Sequence, residues 1–382
     1  MKKLLLVAVA AAFIFTPSCK LRSGWAANLR GQADTTVYDV PAASPELPLL
    51  EADRTLDDAA RILAGMDVDA DSPVAFWMEK PLWQKHKTQM DGLWATCRET
   101  LDKIDTLAAN DFADINEKAV DVFYPFSGPD FAYAASFYPK AQHYWLFALE
   151  GTGSVPDLEK TTERAFDKYR QALLYHLQNS YFITKNMQTD LHNSSIDGTI
   201  SILLVFMARM DYHIMSVTYK TLNADGTFTD SEKPSTAVEI HFFNKAENKE
   251  RALTFTTTNL NNDYINAGTK ALIGSFNPET TVGYTKSCSY CMHGNHFTTV
   301  RDYMLNNTFA VIQDDTGVRY HYLKDNFDVT LYGGYVKPLN CFSSSCFQSD
   351  LNTLYHHNPE VKPLNFRHGY NRPSSLIVAR RK

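Results

Sequence analysis

Residues 118–153 constrain the fold more than any other stretch of this chain. Ala119-Val-Asp-Val-Phe-Tyr124 is a short apolar run, and the turn Pro125-Phe-Ser-Gly-Pro-Asp130 follows it. A helical segment from Phe131 to Tyr138 comes next and is stopped by Pro139. A second apolar run, His143 to Leu149, ends at Glu150, Gly151 and Gly153. Strand, loop, helix, strand, with a Gly-containing loop after each strand, is the grammar of a parallel α/β unit, because parallel neighbours need a crossover that packs on the sheet. The expected fold class is α/β: a Rossmann-like, mostly parallel sheet flanked by helices, with a helical N-terminal extension and a β-rich C-terminal part.

The flanking segments fill in that outline. Asp53 to Met66 and Lys80 to Ala109 carry apolar residues at three- and four-residue spacing, broken by Pro73 and Pro81. Asp157–Gln178 reads as an amphipathic helix and Ile196–Met210 as a mostly buried one. Beyond Asp211 the pattern turns to strands, with Ile214–Tyr219, Val238–Phe243 and Leu253–Thr257. Helices are expected over Tyr264–Ile273 and Phe297–Leu305, and a strand over Thr308–Ile312 that ends in Gln313-Asp-Asp-Thr-Gly317. The tail, Val318–Lys382, reads as short strands, among them Tyr320–Leu323 and Leu376–Ala379.

The N-terminus specifies an address. Met1-Lys2-Lys3 precedes an apolar run of 12 residues, Leu4–Phe15, and then Thr16-Pro-Ser-Cys19. That is an export leader ending at a cysteine, and small residues before Cys19 suit lipid transfer to its thiol and cleavage on its N-terminal side. The run falls well short of the roughly 20 residues that span a bilayer. Residues 1–18 are thus expected to be a lipoprotein signal peptide and 19–52 a flexible tether, rich in Ala, Pro, Ser and Gly. Residues 53–117 follow as a helical extension and 118–382 as the α/β body. The expected partner is the membrane, reached through a lipidated Cys19, which places the body in the bacterial cell envelope, facing the periplasm or the cell surface. Losing Lys2 and Lys3 with the leader takes the formal net charge from -6 to -8, and no basic stripe offers itself to nucleic acid.

Five cysteines follow Cys19: Cys97, Cys288, Cys291, Cys341 and Cys346. Cys288-x-x-Cys291 with His293 and His296 has the residue types of a zinc site, but no second pair lies at finger spacing. The segment reads instead as a buried element with Cys acting as a small apolar residue, and a disulfide from it to Cys341 or Cys346 is the other reading.

Ligands of open parallel sheets bind beyond the carboxyl ends of the strands, where loops and helix N-termini converge. Three polar groups fall at such ends. Ser127, Gly128 and Asp130 follow the first strand, Glu150 follows the second, and Gln313, Asp314 and Asp315 follow a later one. If these strands are neighbours, the carboxylates share one cleft, with Asp314 and Asp315 as the candidate catalytic pair and the others binding ligand. Asp130 also reads as a helix N-cap, and Asp314-Asp315 as turn residues. No GxSxG elbow, P-loop or HExxH occurs.

The first loop, Tyr124–Asp130, and the acid Glu150 resemble the cofactor-binding half of S-adenosylmethionine-dependent methyltransferases. In that family a Gly-rich turn follows the first strand and an acid after the second holds the ribose hydroxyls. The resemblance gives Glu150 the second role and leaves the first to a loop with a single glycine, Gly128. The phrases Tyr124-Pro-Phe-Ser-Gly-Pro-Asp-Phe131, Ala148-Leu-Glu-Gly-Thr-Gly153, Ser289-Tyr-Cys-Met-His293 and Gln313-Asp-Asp-Thr-Gly317 also resemble an uncharacterised family of exported bacterial proteins, over about Trp77 to Lys382. That second resemblance implies no activity. Two functional readings follow: a cell-envelope binding or scaffold protein with a crevice for a small polar ligand, or an envelope hydrolase or transferase using strand-end carboxylates, with or without a metal. The residues name no cofactor.

Overall fold

Alternation of apolar side chains decides which strands are buried on both faces. In β1 (Asp121–Pro125) Val122 and Tyr124 pack into one core while Phe123 packs into another, and in β2 (His143–Ala148) Tyr144 and Leu146 oppose Phe147. Strands covered on both faces suit the middle of a parallel sheet. Further along, β3 (His213–Leu222), β4 (Phe228–Ser231) and β5 (Ala237–Asn244) form a wing. Here Val238, Ile240 and Phe242 face the core while Glu239 and His241 face away, the one-sided pattern of antiparallel strands. The remaining strands are β6 (Lys249–Thr257), β7 (Thr281–Thr285), β8 (Ala310–Gln313), β9 (Phe327–Gly333) and β10 (Ser375–Arg381).

All ten join one sheet in the order β4-β3-β5-β6-β2-β1-β7-β8-β10-β9. Five adjacent strands, β6, β2, β1, β7 and β8, run parallel. The chain lays down β1, β2 and β6 outward in one direction, then returns to place β7 and β8 on the other side of β1. Both wings are antiparallel, through β5, β3 and β4 at one edge and β10 and β9 at the other. The protein is therefore α/β with a mixed sheet flanked by helices. The expectation of a mostly parallel sheet is corrected: among the described strands, antiparallel pairings are as prominent as parallel ones. Strand direction depends on how each connection returns, and hydrophobic period does not record it.

The computed structural model describes residues 48–179 and 196–382, and Leu49–Lys382 is one compact unit. The signal peptide 1–18, Cys19 and nearly all of the tether lie outside the described residues. Helices α1 (Arg54–Leu63), α2 (Pro81–Asp111) and α3 (Ala113–Lys118) precede the sheet, and α4 (Phe131–Phe137), α5 (Glu163–Asn179) and α6 (Gly198–Arg209) follow within it. Trp83, Met90 and Leu101 of α2 share a core with Phe131 of α4, Leu203 of α6 and Tyr144 of β2. The other face carries α7 (Ala267–Gly274), α8 (Thr298–Asn306), α9 (Tyr320–Leu323) and α10 (Ser349–His357). Each fully buried Leu, Phe or Met in these layers contributes roughly 1.5–3 kcal/mol relative to exposure. No helix of the described residues is long and apolar enough to cross a membrane.

Two local expectations differ from the structure. Tyr320–Leu323 is a helical turn and not a strand: the Tyr320 N–H is taken by Gln348 Oε1 at 2.8 Å, so it is not free for a neighbouring strand. Strand β7 escaped the sequence pattern because Gly283 sits inside it. A Cβ there would stand 2.1 Å from Met304 Sδ, so the glycine admits α8 against the sheet while erasing the apolar signal.

Candidate functional site

Beyond the carboxyl ends of β1, β2, β6 and β7 lies a cavity of about 690 Å³, within the size range of small-molecule sites. It opens on both sides of β1, where the order of strands reverses and where open α/β sheets leave a crevice. Of the residues expected at strand ends, Ser127, Gly128, Asp130 and Glu150 line it. Gln313, Asp314 and Asp315 lie at the end of β8, outside its lining.

Two loops with unusual backbone shape the cavity. After β1, Phe126 has φ +59° and Gly128 has φ +52°; after β7, Ser287, Ser289 and Tyr290 have φ +55°, +55° and +58°. Left-handed conformations at residues with a Cβ cost of order 1–3 kcal/mol each and persist only where surrounding contacts enforce them. Ser127 N–H and its Oγ both donate to the Phe147 carbonyl, at 3.1 and 3.4 Å, which pins the first loop to β2. The second loop is held by the two acids that follow β8. Asp314 Oδ2 accepts from Ser287 N–H at 3.0 Å, and its Oδ1 accepts from Thr316 N–H at 3.1 Å and Oγ1 at 2.5 Å. Asp315 accepts from the Tyr290 hydroxyl and from Ser375 Oγ, each at 2.8 Å. Both carboxyls are fully enclosed, so burial pushes them above the usual carboxylate range, and Asp315 adds to the push on Asp314. Gln313 pairs its side-chain amide with the Val318 N–H and carbonyl, at 2.8 and 2.6 Å. These three residues brace the loop that walls the cavity.

The floor of the cavity holds a pair that sequence reasoning missed. Lys286, the residue after β7, extends its ammonium to Asp130 Oδ2 at 2.8 Å, and the Tyr124 hydroxyl donates to the same oxygen at 2.8 Å. The Lys286 Nζ also lies 3.3 Å from the centre of the Tyr133 ring. Both side chains are almost fully buried, at 1% and 3% exposure. Burial lowers the Lys286 ammonium and raises the Asp130 carboxyl, each opposed by attraction to the other. Asp130 does stand at the N-cap position of α4, but its main engagement is this ion pair. The only sequence signal was a lysine closing the apolar run Val282-Gly-Tyr-Thr-Lys286, and Gly283 obscured the run.

Glu150 is in a different situation. It is 4% exposed, it lines the cavity, and no hydrogen bond or ion pair from the described residues reaches its carboxylate. Its position is set by backbone. The Gly151 and Thr152 carbonyls accept from the Thr199 and Ile200 N–H groups at 3.1 and 3.0 Å, which joins the end of β2 to the first turn of α6. That approach requires glycine on both sides. Gly153 and Gly198 have φ +69° and +64°, and a Cβ on Gly198 would stand 2.2 Å from Gly153 Cα.

The thiols Cys288, Cys291 and Cys341 also border the cavity. Cys97, Cys288, Cys291, Cys341 and Cys346 are all free in the structure. Among the described residues no group of three or more His, Cys, Asp or Glu side chains is placed to hold a metal ion, so Cys288, Cys291, His293 and His296 do not assemble the zinc cluster their types would allow.

Compared with known proteins, the chain matches no protein-family model, no curated protein sequence and no solved structure.

Proposed function

We propose that this chain is a cell-envelope binding protein whose Rossmann-like crevice takes a small hydroxyl-bearing ligand of the nucleoside class, held by Glu150. The carrying observation is Glu150, which lines the cavity at 4% exposure and whose carboxylate takes no hydrogen bond from the described residues. A carboxylate at the cavity wall accepts hydrogen bonds from whatever fills the cavity, and the vicinal hydroxyls of a ribose supply two donors. Further support comes from the reversal of strand order at β1 and from a loop with a glycine after β1. Among the described residues Lys286 is the one basic side chain bordering the cavity, and it is already paired with Asp130, so these residues offer a phosphate no uncommitted cation. The hydrolase or transferase reading needs a carboxylate cluster in the cavity, and Asp314 and Asp315 are engaged behind its wall.

Calorimetric titration of the protein with adenosine, S-adenosylmethionine and adenosine monophosphate tests the reading. At least one unphosphorylated ligand is expected to bind, more tightly than the monophosphate, and Glu150→Gln is expected to weaken it roughly 10-fold or more, as loss of a charged hydrogen bond predicts. Absence of heat from all three ligands, or equal binding by Glu150→Gln, would overturn the proposal.

The envelope address rests on the leader ahead of Cys19. Growing cells fed a clickable fatty acid are expected to label the wild-type chain and spare Cys19→Ala; equal labelling of the two would remove the lipid anchor from the proposal.

A further inference from the structure

Among the residues that line the cavity, Phe126 combines an aromatic ring with a left-handed backbone. Its φ of +59° is an angle that glycine adopts freely and that a phenylalanine holds only at a conformational cost, so the side chain at this position is a candidate for function. The Phe126 ring meets that of Phe297 edge-on, with centroids 5.4 Å apart, and Phe297 stands at the N-terminus of α8. Both rings pack against a core that includes Phe123, Phe147 and Met292, which supports them from below. Both residues line the cavity and both stay half-buried, so part of their apolar surface is left uncovered by the protein. The backbone on either side of Phe126 is tied to β2: Pro125 lies opposite Phe147 in the strand register, and Ser127 N–H donates to the Phe147 carbonyl at 3.1 Å. Glu150 comes three residues after Phe147. Phe126 and Glu150 therefore follow the ends of neighbouring strands, which lie about 4.8 Å apart.

We propose that Phe126, buttressed by Phe297, is the platform on which the planar base of the ligand stacks. The inference rests on the nucleoside reading above and assigns the part of the ligand that Glu150 does not hold. A ring steadied at its edge by a neighbour keeps a face for a second planar system, and offset stacking then adds to the burial of apolar area. An aliphatic side chain of similar size supplies the area alone. Because every base has a π-face, such a platform accepts purines and pyrimidines alike and rejects a sugar that carries no base. The cavity thus recognises two points, hydroxyls at Glu150 and a base at Phe126. Free ribose reaches only the first and a free base only the second.

The test places a fluorophore at the platform. The full chain carrying Phe126→Trp is titrated with adenine, uracil and adenosine, and the wild type, with its own five tryptophans, gives the background. Saturable quenching beyond that background is expected with at least one of the three compounds. For the same compound, calorimetry is expected to show roughly 10-fold weaker binding by Phe126→Leu, about 1.4 kcal/mol, and wild-type affinity for Phe126→Tyr, which keeps a ring. The Leu and Tyr variants decide the question if the tryptophan variant fails to fold. No excess quenching by any of the three compounds, or equal binding by Phe126→Leu and the wild type, overturns the platform. The two proposals fail separately. Quenching by a free base with adenosine binding indifferent to Glu150→Gln keeps the platform and removes the ribose contact. Adenosine binding that needs Glu150 and ignores Phe126→Leu does the reverse.

Discussion

Replacing Lys286 by methionine is expected to destabilise the protein by about 3–5 kcal/mol, because the change strands the Asp130 carboxylate in the interior. The magnitude follows from the geometry. Both partners are nearly enclosed, their contact is 2.8 Å, and the Tyr124 hydroxyl donates to the same carboxylate oxygen at 2.8 Å. The pair as a whole is worth much less than either half, since desolvating two charges offsets most of their attraction. Lys286→Met combined with Asp130→Asn is therefore expected to recover at least about 2 kcal/mol of the loss, because the amide oxygen still accepts from Tyr124 and no charge remains. Urea unfolding of the wild type, both single variants and the double variant measures the cycle. A cost below about 1 kcal/mol for Lys286→Met would show that water reaches Asp130 and that the ion pair is not a structural element of the cavity floor.

Acid is expected to unfold the protein in part through the buried imidazoles of His86 and His368. His86 is 0% exposed, with Nε2 2.8 Å from the Leu63 carbonyl and Nδ1 3.3 Å from Arg170 Nη1. This arrangement suits a neutral ring that donates from Nε2 and accepts at Nδ1, and a second ring proton would face the guanidinium. Burial first, and Arg170 among the charges, hold its titration down to about 4. His368 is 1% exposed, with Nε2 3.2 Å from the Tyr284 hydroxyl and Nδ1 3.3 Å from the Ser375 carbonyl, and burial with Lys286 nearby brings it down to about 3. Unfolding lets each ring take a proton below pH 6.5, so the folded state binds fewer protons in that range and stability falls as the pH drops. The loss begins at about pH 6.5 and continues to about 4 for His86 and about 3 for His368. Each ring contributes about 1.4 kcal/mol per pH unit, or roughly 2 kcal/mol between pH 6.5 and 5.

The buried acids Asp130, Asp314 and Asp315 run the other way, since their raised folded titration relieves a cost as pH falls toward the ordinary carboxylate range. The histidine contribution is therefore best isolated by difference. Between pH 6 and 4.5 the wild type is expected to lose about 2 kcal/mol more than His86→Gln, whose amide donates to Leu63 without titrating. Parallel stability profiles for the two proteins would contradict the burial argument. So would an imidazole resonance of His86 or His368 that titrates near pH 6.5.

The features that short-range physics controls were legible in the order of residues alone. Alternating apolar residues and Gly- or Pro-containing turns placed β1, α4 and β2 within a residue or two, and helical spacing placed α1, α2 and α6. These signals repeat every two or 3.6 residues and need no partner to be read. The same reasoning located Glu150 at the end of β2, because a polar residue closing an apolar strand is a local event. Tertiary structure alone decided which strand ends share the cavity and what each acid does there. Asp130 meets Lys286 only because β7 lies beside β1, and β7 was invisible where Gly283 interrupts its apolar run. Asp314 and Asp315 read like an acid pair aimed at a ligand. The left-handed turn at Ser287, Ser289 and Tyr290 instead brings amide and hydroxyl donors onto them, and that backbone is held by contacts between segments distant in sequence. Strand direction in the two antiparallel wings was likewise a matter of how distant segments return to the sheet, since hydrophobic period is the same for a strand laid either way.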